Sequence, residues 1–130
     1  MRDFHGNGKK DLVVVNLSSN NFSVLASNGD GTFGAADTYP TGVFPFAVVA
    51  ADFNGDGKAD LALAMSMDNN IAVIPGNGNG SFTQDQEIDF QVGPEPHFVV
   101  AGDFNRDGKI DLAVANSASN TISVLINNSR

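Results

Sequence analysis

The sequence predicts an all-β chain built from repeated four-stranded units. Three observations carry this. A nine-residue segment, Asp-Phe-x-x-(Asp/Asn)-Gly-Lys-x-Asp, occurs at Asp3–Asp11, Asp52–Asp60 and Asp103–Asp111, with offsets of 49 and 51 residues. A period of that size marks a repeat architecture in which each unit is one supersecondary element. Each copy leads into a short apolar run without helical periodicity, and no stretch of useful length carries a helical apolar stripe.

The elements follow in register. After each segment come Leu12-Val13-Val14-Val15, Leu61-Ala62-Leu63-Ala64 and Leu112-Ala113-Val114-Ala115, read as buried strands bounded by polar residues. Polar turns follow at 16–21, 65–70 and 116–121. Phe22-Ser23-Val24-Leu25, Ile71-Ala72-Val73-Ile74 and Ile122-Ser123-Val124-Leu125 then alternate as second strands. Asn28-Gly29-Asp30-Gly31-Thr32-Phe33 and Asn77-Gly78-Asn79-Gly80-Ser81-Phe82 read as Asn-Gly hairpin turns, whose glycines accept positive φ. A weaker strand is expected after each, near Thr38-Tyr39 and near Ile88 to Val92. Phe46-Ala47-Val48-Val49-Ala50 and Phe98-Val99-Val100-Ala101 lead into the next segment.

Four short antiparallel strands per repeat of about 50 residues is the pattern of a β-propeller blade. One repeat domain over 1–130 is expected. Blade 1 covers about 1–44 and lacks its first strand. Blade 2 covers about 45–95. Blade 3 covers about 96–130 and lacks its last strand. Ten strands, roughly two and a half blades, are too few for a closed ring of about four or more blades. The expectation is therefore a homo-oligomer, a dimer first, that completes the ring.

The formal charge of −8 argues against nucleic acid and anionic membrane surfaces as partners. Of the fifteen acidic side chains, Asp3, Asp11, Asp52, Asp56, Asp60, Asp103, Asp107 and Asp111 sit in the repeated segments. Such clusters repel themselves without a counter-charge, so the charge reads as a metal requirement. There is no cysteine, which removes disulfides and thiolate metal sites together. No apolar run approaches the roughly 18 residues of a membrane helix. Met1-Arg2-Asp3 enters a loop directly, so no signal peptide is expected in this chain.

Oxygen donors fall at the first, third, fifth and ninth positions of the second segment, as Asp52, Asn54, Asp56 and Asp60. The seventh residue, Lys58, contributes its backbone carbonyl. Gly57 permits the sharp turn that gathers these groups round one point. The spacing resembles the start of an EF-hand loop, and Ca²⁺ takes six to eight oxygens in a flexible cage. The closing Glu of an EF-hand is absent, since Leu63 and Val114 stand at that position, so the ninth-position Asp supplies the last carboxylate. Mg²⁺ suits the loop less well, because it prefers few carboxylates and retains its waters. The third segment repeats the set as Asp103, Asn105, Asp107, the Lys109 carbonyl and Asp111. The first is degraded to Asp3, His5, Asn7, the Lys9 carbonyl and Asp11, with two carboxylates in place of three. Weak binding or none is expected there.

With segment, period and strand pattern together, the chain resembles the FG-GAP/VCBS-type repeats of integrin-like β-propellers. The carriers are Asp52 to Leu61, Asp103 to Leu112, and the Gly-x-Phe turns ending at Phe33 and Phe82. The resemblance implies a loop between the first two strands of a blade that binds Ca²⁺ through the residues of the second and third segments. It also implies an extracellular or cell-surface setting, and rings of about seven blades in larger proteins.

Other chemistry is sparse. His5 and His97 are the only histidines and no Ser-His-Asp or Cys-His arrangement surrounds them. His97 reads as an interfacial or partly buried residue. Glu87 and Glu95, the only glutamates, read as solvated surface. Phe4, Phe53 and Phe104 read as packing between blades. The turns around Asn20, Asn69 and Asn120 would share one face and read first as solvated hairpins. No catalytic residue is expected. The resulting reading is a noncatalytic Ca²⁺-binding module that presents loops for carbohydrate or protein binding. The alternative is a piece of a Ca²⁺-dependent propeller enzyme, such as a polysaccharide lyase or a phosphatase-like protein; a dockerin-like module would need a helix after each loop.

Overall fold

A computed structural model describes residues 1–129. Among these residues, ten strands form three antiparallel sheets. The first sheet holds β1 (Leu12–Asn16), β2 (Asn21–Ser27) and β3 (Phe33–Pro40) in that order. The second holds β4 (Pro45–Ala51), β5 (Asp60–Met65), β6 (Asn70–Ile74) and β7 (Ile88–Gln91). The third holds β8 (Pro96–Gly102), β9 (Asp111–Asn116) and β10 (Thr121–Leu125). Among the described residues the single helical element is a 3₁₀ turn at Gln84–Gln86, and no helix is long and apolar enough to cross a membrane. The weak strand expected near Thr38-Tyr39 runs over eight residues, because it pairs with β2 almost from end to end.

Strand alternation decides what each sheet buries. From the first sheet, Val13, Val15, Phe22 and Val24 pack on Leu61, Leu63, Ala72 and Ile74 of the second. The opposite face of the second sheet, through Ala62, Ala64, Ile71 and Val73, packs on Val99, Leu112, Val114 and Leu125 of the third. Every residue of β5 is buried, since this strand is covered on both faces. Its small residues face the third sheet and its larger ones the first. Two stacked interfaces of one design thus make the core, as between successive blades.

An aromatic cluster seals the first interface. Phe82, from the Asn-Gly turn of the second sheet, meets Phe4 and Phe22 edge-on at 5.6 Å each and Tyr39 at 5.8 Å. Phe22 stacks on Tyr39 at 5.0 Å. The corresponding place in the second interface is an apolar cleft of about 620 Å³, lined by Phe53, Val73, Phe90, Leu112 and Ile126 among others. Phe4 and Phe53 pack between sheets as expected, whereas Phe104 is exposed because no further sheet lies beyond it in this chain. His97 stacks on Phe46, with ring centroids 4.0 Å apart.

The polar turns around Asn20 and Asn69 are more than solvated hairpins. Both residues adopt positive φ, a conformation asparagine tolerates through its short polar side chain. The Asn20 backbone carbonyl accepts the Thr41 amide, and its Oδ1 accepts the Phe44 amide at 2.9 Å. Asn69 repeats this with Val92 and with Glu95, the latter at 2.9 Å. The Phe44 and Glu95 carbonyls in turn accept the Ser66 and Ser117 amides of the following sheet. Each asparagine therefore clamps the connector that leads to the next sheet.

Candidate metal centres

All three repeated loops carry local Asx hydrogen bonds, which is why the sequence curls at these points. In the second loop, Asp52 Oδ1 accepts the Gly55 and Asp56 amides at 2.7 and 3.1 Å, and Oδ2 accepts the Gly57 amide at 2.8 Å. Asn54 Oδ1 also accepts the Asp56 amide, at 2.9 Å, and Asp56 Oδ1 accepts that of Lys58 at 2.9 Å. Gly55 and Gly57 hold φ of 80° and 82°, open to glycine at little cost. The third loop repeats the pattern: Asp103 takes the Asp107 and Gly108 amides, Asn105 that of Asp107, and Asp107 that of Lys109. There Arg106 stands in the left-handed region, at φ 63°, where the second loop has Gly55. The first loop keeps the same skeleton through Asp3 and Asn7.

The ninth-position aspartates do something different. Asp60 is 1 % exposed, and its Oδ2 accepts the Phe53 amide at 2.9 Å while Oδ1 accepts the Gly76 amide at 3.0 Å. Asp11 makes the same pair of bonds with Phe4 and Ser27, and Asp111 with Phe104 and Asn127. In each case one oxygen holds the start of its own loop. The other holds the backbone sixteen residues on, where the second strand ends. These carboxylates pin the loop to its sheet. Burial pushes the Asp60 carboxyl above the ordinary range, more than the Gly76 and Phe53 amides offset. The Asn127 and Phe104 amides hold that of Asp111 below it.

His5 gives the first loop its own character. Its Nδ1 lies 2.8 Å from Asp11 Oδ2. Burial works to raise the Asp11 carboxyl, but the His5 hydrogen bond together with the Ser27 and Phe4 amides holds it below the ordinary value. His5 also abuts the turn of the second sheet: a Cβ at Gly80 would fall on its ring, and the Gly80 amide donates to the Phe4 carbonyl at 2.7 Å. The side chain at the loop's third position thus occupies Asp11 from within.

The structure places Asp52, Asn54, Asp56, Lys58 and Asp60 in one loop, as it does Asp103, Asn105, Asp107, Lys109 and Asp111, and Asp3, Asn7, Lys9 and Asp11. The donors of the second and third loops are all oxygens, and the backbone is already curled round them, so their chemistry suits a hard divalent cation. In the second loop Lys58 Nζ lies 3.9 Å from Asp56. Among the described residues no three acidic or imidazole side chains converge on one point. In the third loop the Asn105 amide donates to Asp107 Oδ2 at 3.1 Å. The loops are therefore shaped in their backbone, with carboxylate lone pairs left over, rather than closed into a cage.

Sequence reasoning missed the pinning amides of Ser27, Gly76 and Asn127. The signal available was their constant spacing of sixteen residues from Asp11, Asp60 and Asp111. It also missed the pairing of His5 with Asp11.

No curated protein matches the sequence significantly. The model of the FG-GAP-like repeat family matches it twice, over residues 3–63 and 52–114, each match running from one repeated loop through the next. The chain belongs to the FG-GAP-like repeat family.

Proposed function

We propose that this chain is a noncatalytic β-propeller-type module stabilised by Ca²⁺ in its second and third loops, and that it presents its turns to a carbohydrate or protein ligand. The observation that carries the metal reading is the recurrence of one curled, oxygen-lined loop at equivalent places in successive sheets. Asp52, Asn54, Asp56, the Lys58 carbonyl and Asp60 would hold one ion; Asp103, Asn105, Asp107, the Lys109 carbonyl and Asp111 would hold the other. A bound Ca²⁺ would supply charge neutralisation for three carboxylates per loop. The chain itself supplies the turn geometry and, through Asp60 and Asp111, a rigid link from loop to sheet.

The role is structural. Ligand that binds only the folded state stabilises by about 2.7 kcal/mol per site at a hundredfold excess over Kd. For a chain of this size one such site raises Tm by on the order of 10 °C. Calorimetric titration of the chelator-treated chain with CaCl₂ is expected to give two ions per chain, and melting with excess chelator a drop of at least that size. A melting curve indifferent to chelator and Ca²⁺ would refute the reading.

A further inference from the structure

The two interfaces inside the chain leave one half-interface unmatched at each end of the stack. On the third sheet, the face turned away from the core carries Phe98, Val100, Ile122 and Val124, all exposed. Ile122 and Val124 stand at the register positions of Ile71 and Val73. Ile71 is 0 % exposed because the third sheet covers it, whereas Ile122 is 73 % exposed. On the first sheet, the outward face carries Leu12, Val14 and Leu25, at the positions of Leu61, Leu63 and Ile74. Leu63 is 0 % exposed under the first sheet, and Val14 is 38 % exposed.

We propose that the outward face of the third sheet docks on the outward face of the first sheet of a second copy of this chain. The geometry is head to tail, and it repeats between copies the contact already made twice within one. The occupant follows from the internal evidence. Faces of this chemistry at these register positions are covered in this chain by each other, so a second copy offers a surface of the required pattern. Contiguous apolar patches of this kind rarely stay in water. β1 and β10 are edge strands at the same two ends, with one side of each ladder unpaired. A heterologous contact of this sort closes into a ring or continues as an open filament, according to the rotation per copy. The proposal uses the sheet faces and not the metal.

Head-to-tail docking has a signature that a symmetric contact lacks. Ile122→Asp breaks one face and Val14→Asp the other, and both positions are exposed enough that the fold should survive. Circular dichroism checks the strand content of each variant. By sedimentation across a concentration series, with CaCl₂ and separately with chelator, the unaltered chain is expected as an assembly and each variant alone as a 13.6 kDa monomer. An equimolar mixture of the two variants should form a species of twice that mass, because one intact face of each kind remains. The proposal is overturned if the unaltered chain is monomeric in both buffers. It is also overturned if either variant alone still assembles, or if the folded variants fail to pair when mixed. Calorimetry of Ca²⁺ binding is read independently of all these outcomes.

Discussion

Replacing Asp60 by Ala tests whether the ninth-position aspartate is a structural pin before it is a ligand. The change removes the acceptors of two amides, the part-buried one of Phe53 and the buried one of Gly76. Hydrogen bonds to a charged group contribute about 1.5–3 kcal/mol each, and most of the loss comes from stranding a buried donor. Two give about 3–6 kcal/mol, with the lower half favoured because burial already strains the carboxylate upward in pKa. Asp56→Ala, by contrast, removes one exposed bond to Lys58 and a loose ion pair, together worth less than about 1 kcal/mol. Urea unfolding in chelator separates the two. With a slope of about 1.5 kcal/mol/M, Asp60→Ala lowers the midpoint by about 2 M or more and Asp56→Ala by well under 1 M. In CaCl₂ the ranking is kept and both variants fall further below the unaltered chain, because each then also loses the metal-dependent increment. If Asp60→Ala in chelator unfolds within about 0.5 kcal/mol of the unaltered chain, the pin argument is wrong and the residue acts as a ligand alone.

Three further expectations follow from particular contacts. His5→Asn frees Asp11 and restores an oxygen donor at the third position of the first loop, so calorimetry should count three ions per chain in place of two; an unchanged count would show that His5 is not what keeps that loop from binding. Asn69→Ala loses the bond to the Glu95 amide and places alanine at φ 54°, together costing about 2 kcal/mol, with hydrogen exchange accelerated at Val92 and Glu95 before the sheets themselves open. Glu87 has its carboxyl raised by burial first and by Asp89 second. An acid whose folded pKa is raised favours folding while protonated, and that advantage is lost as pH climbs from its unfolded value through the raised one. Glu87→Gln should therefore match the unaltered chain near pH 3.5 and exceed it in urea midpoint at pH 7, and equal midpoints at both pH values would count against the assignment.

The fold was legible because its signals are local and repeated. Leu61 to Ala64 could have been helical by propensity alone, but Leu12 to Val15 at the same register carries three valines, and β-branched residues favour a pleated strand. What composition could not give was the pairing of faces. Nothing in the alternation of Leu61 and Ala62 says that leucine meets the preceding sheet and alanine the following one. That assignment depends on which neighbour lies on which side, a property of the stack rather than of the strand. The Asn20 and Asn69 clamps were hidden for a related reason: their partners lie about 21 to 26 residues away, across a connector without a pattern of its own.

The donors of the candidate site were legible from their spacing, yet the division of labour among them was not. One sequence letter, Asp, serves two purposes within nine residues. At the first and fifth positions it is exposed or half-buried and bonds within the loop, so its charge is available. At the ninth it is buried and bonds to two backbone segments, one seven residues before it and one sixteen after. Spacing rules treat all of these as equivalent oxygens, because they describe the finished cage and not what each carboxylate does without metal. The distinction has a consequence for stability. A ligand that is also a pin couples ion binding to the register of β5 or β9 directly, with no flexible segment between. Calcium in these loops would then act on the sheets through Asp60 and Asp111. In the first loop His5 provides Asp11 with a partner from the protein itself, so the first sheet holds its loop in place without a bound ion.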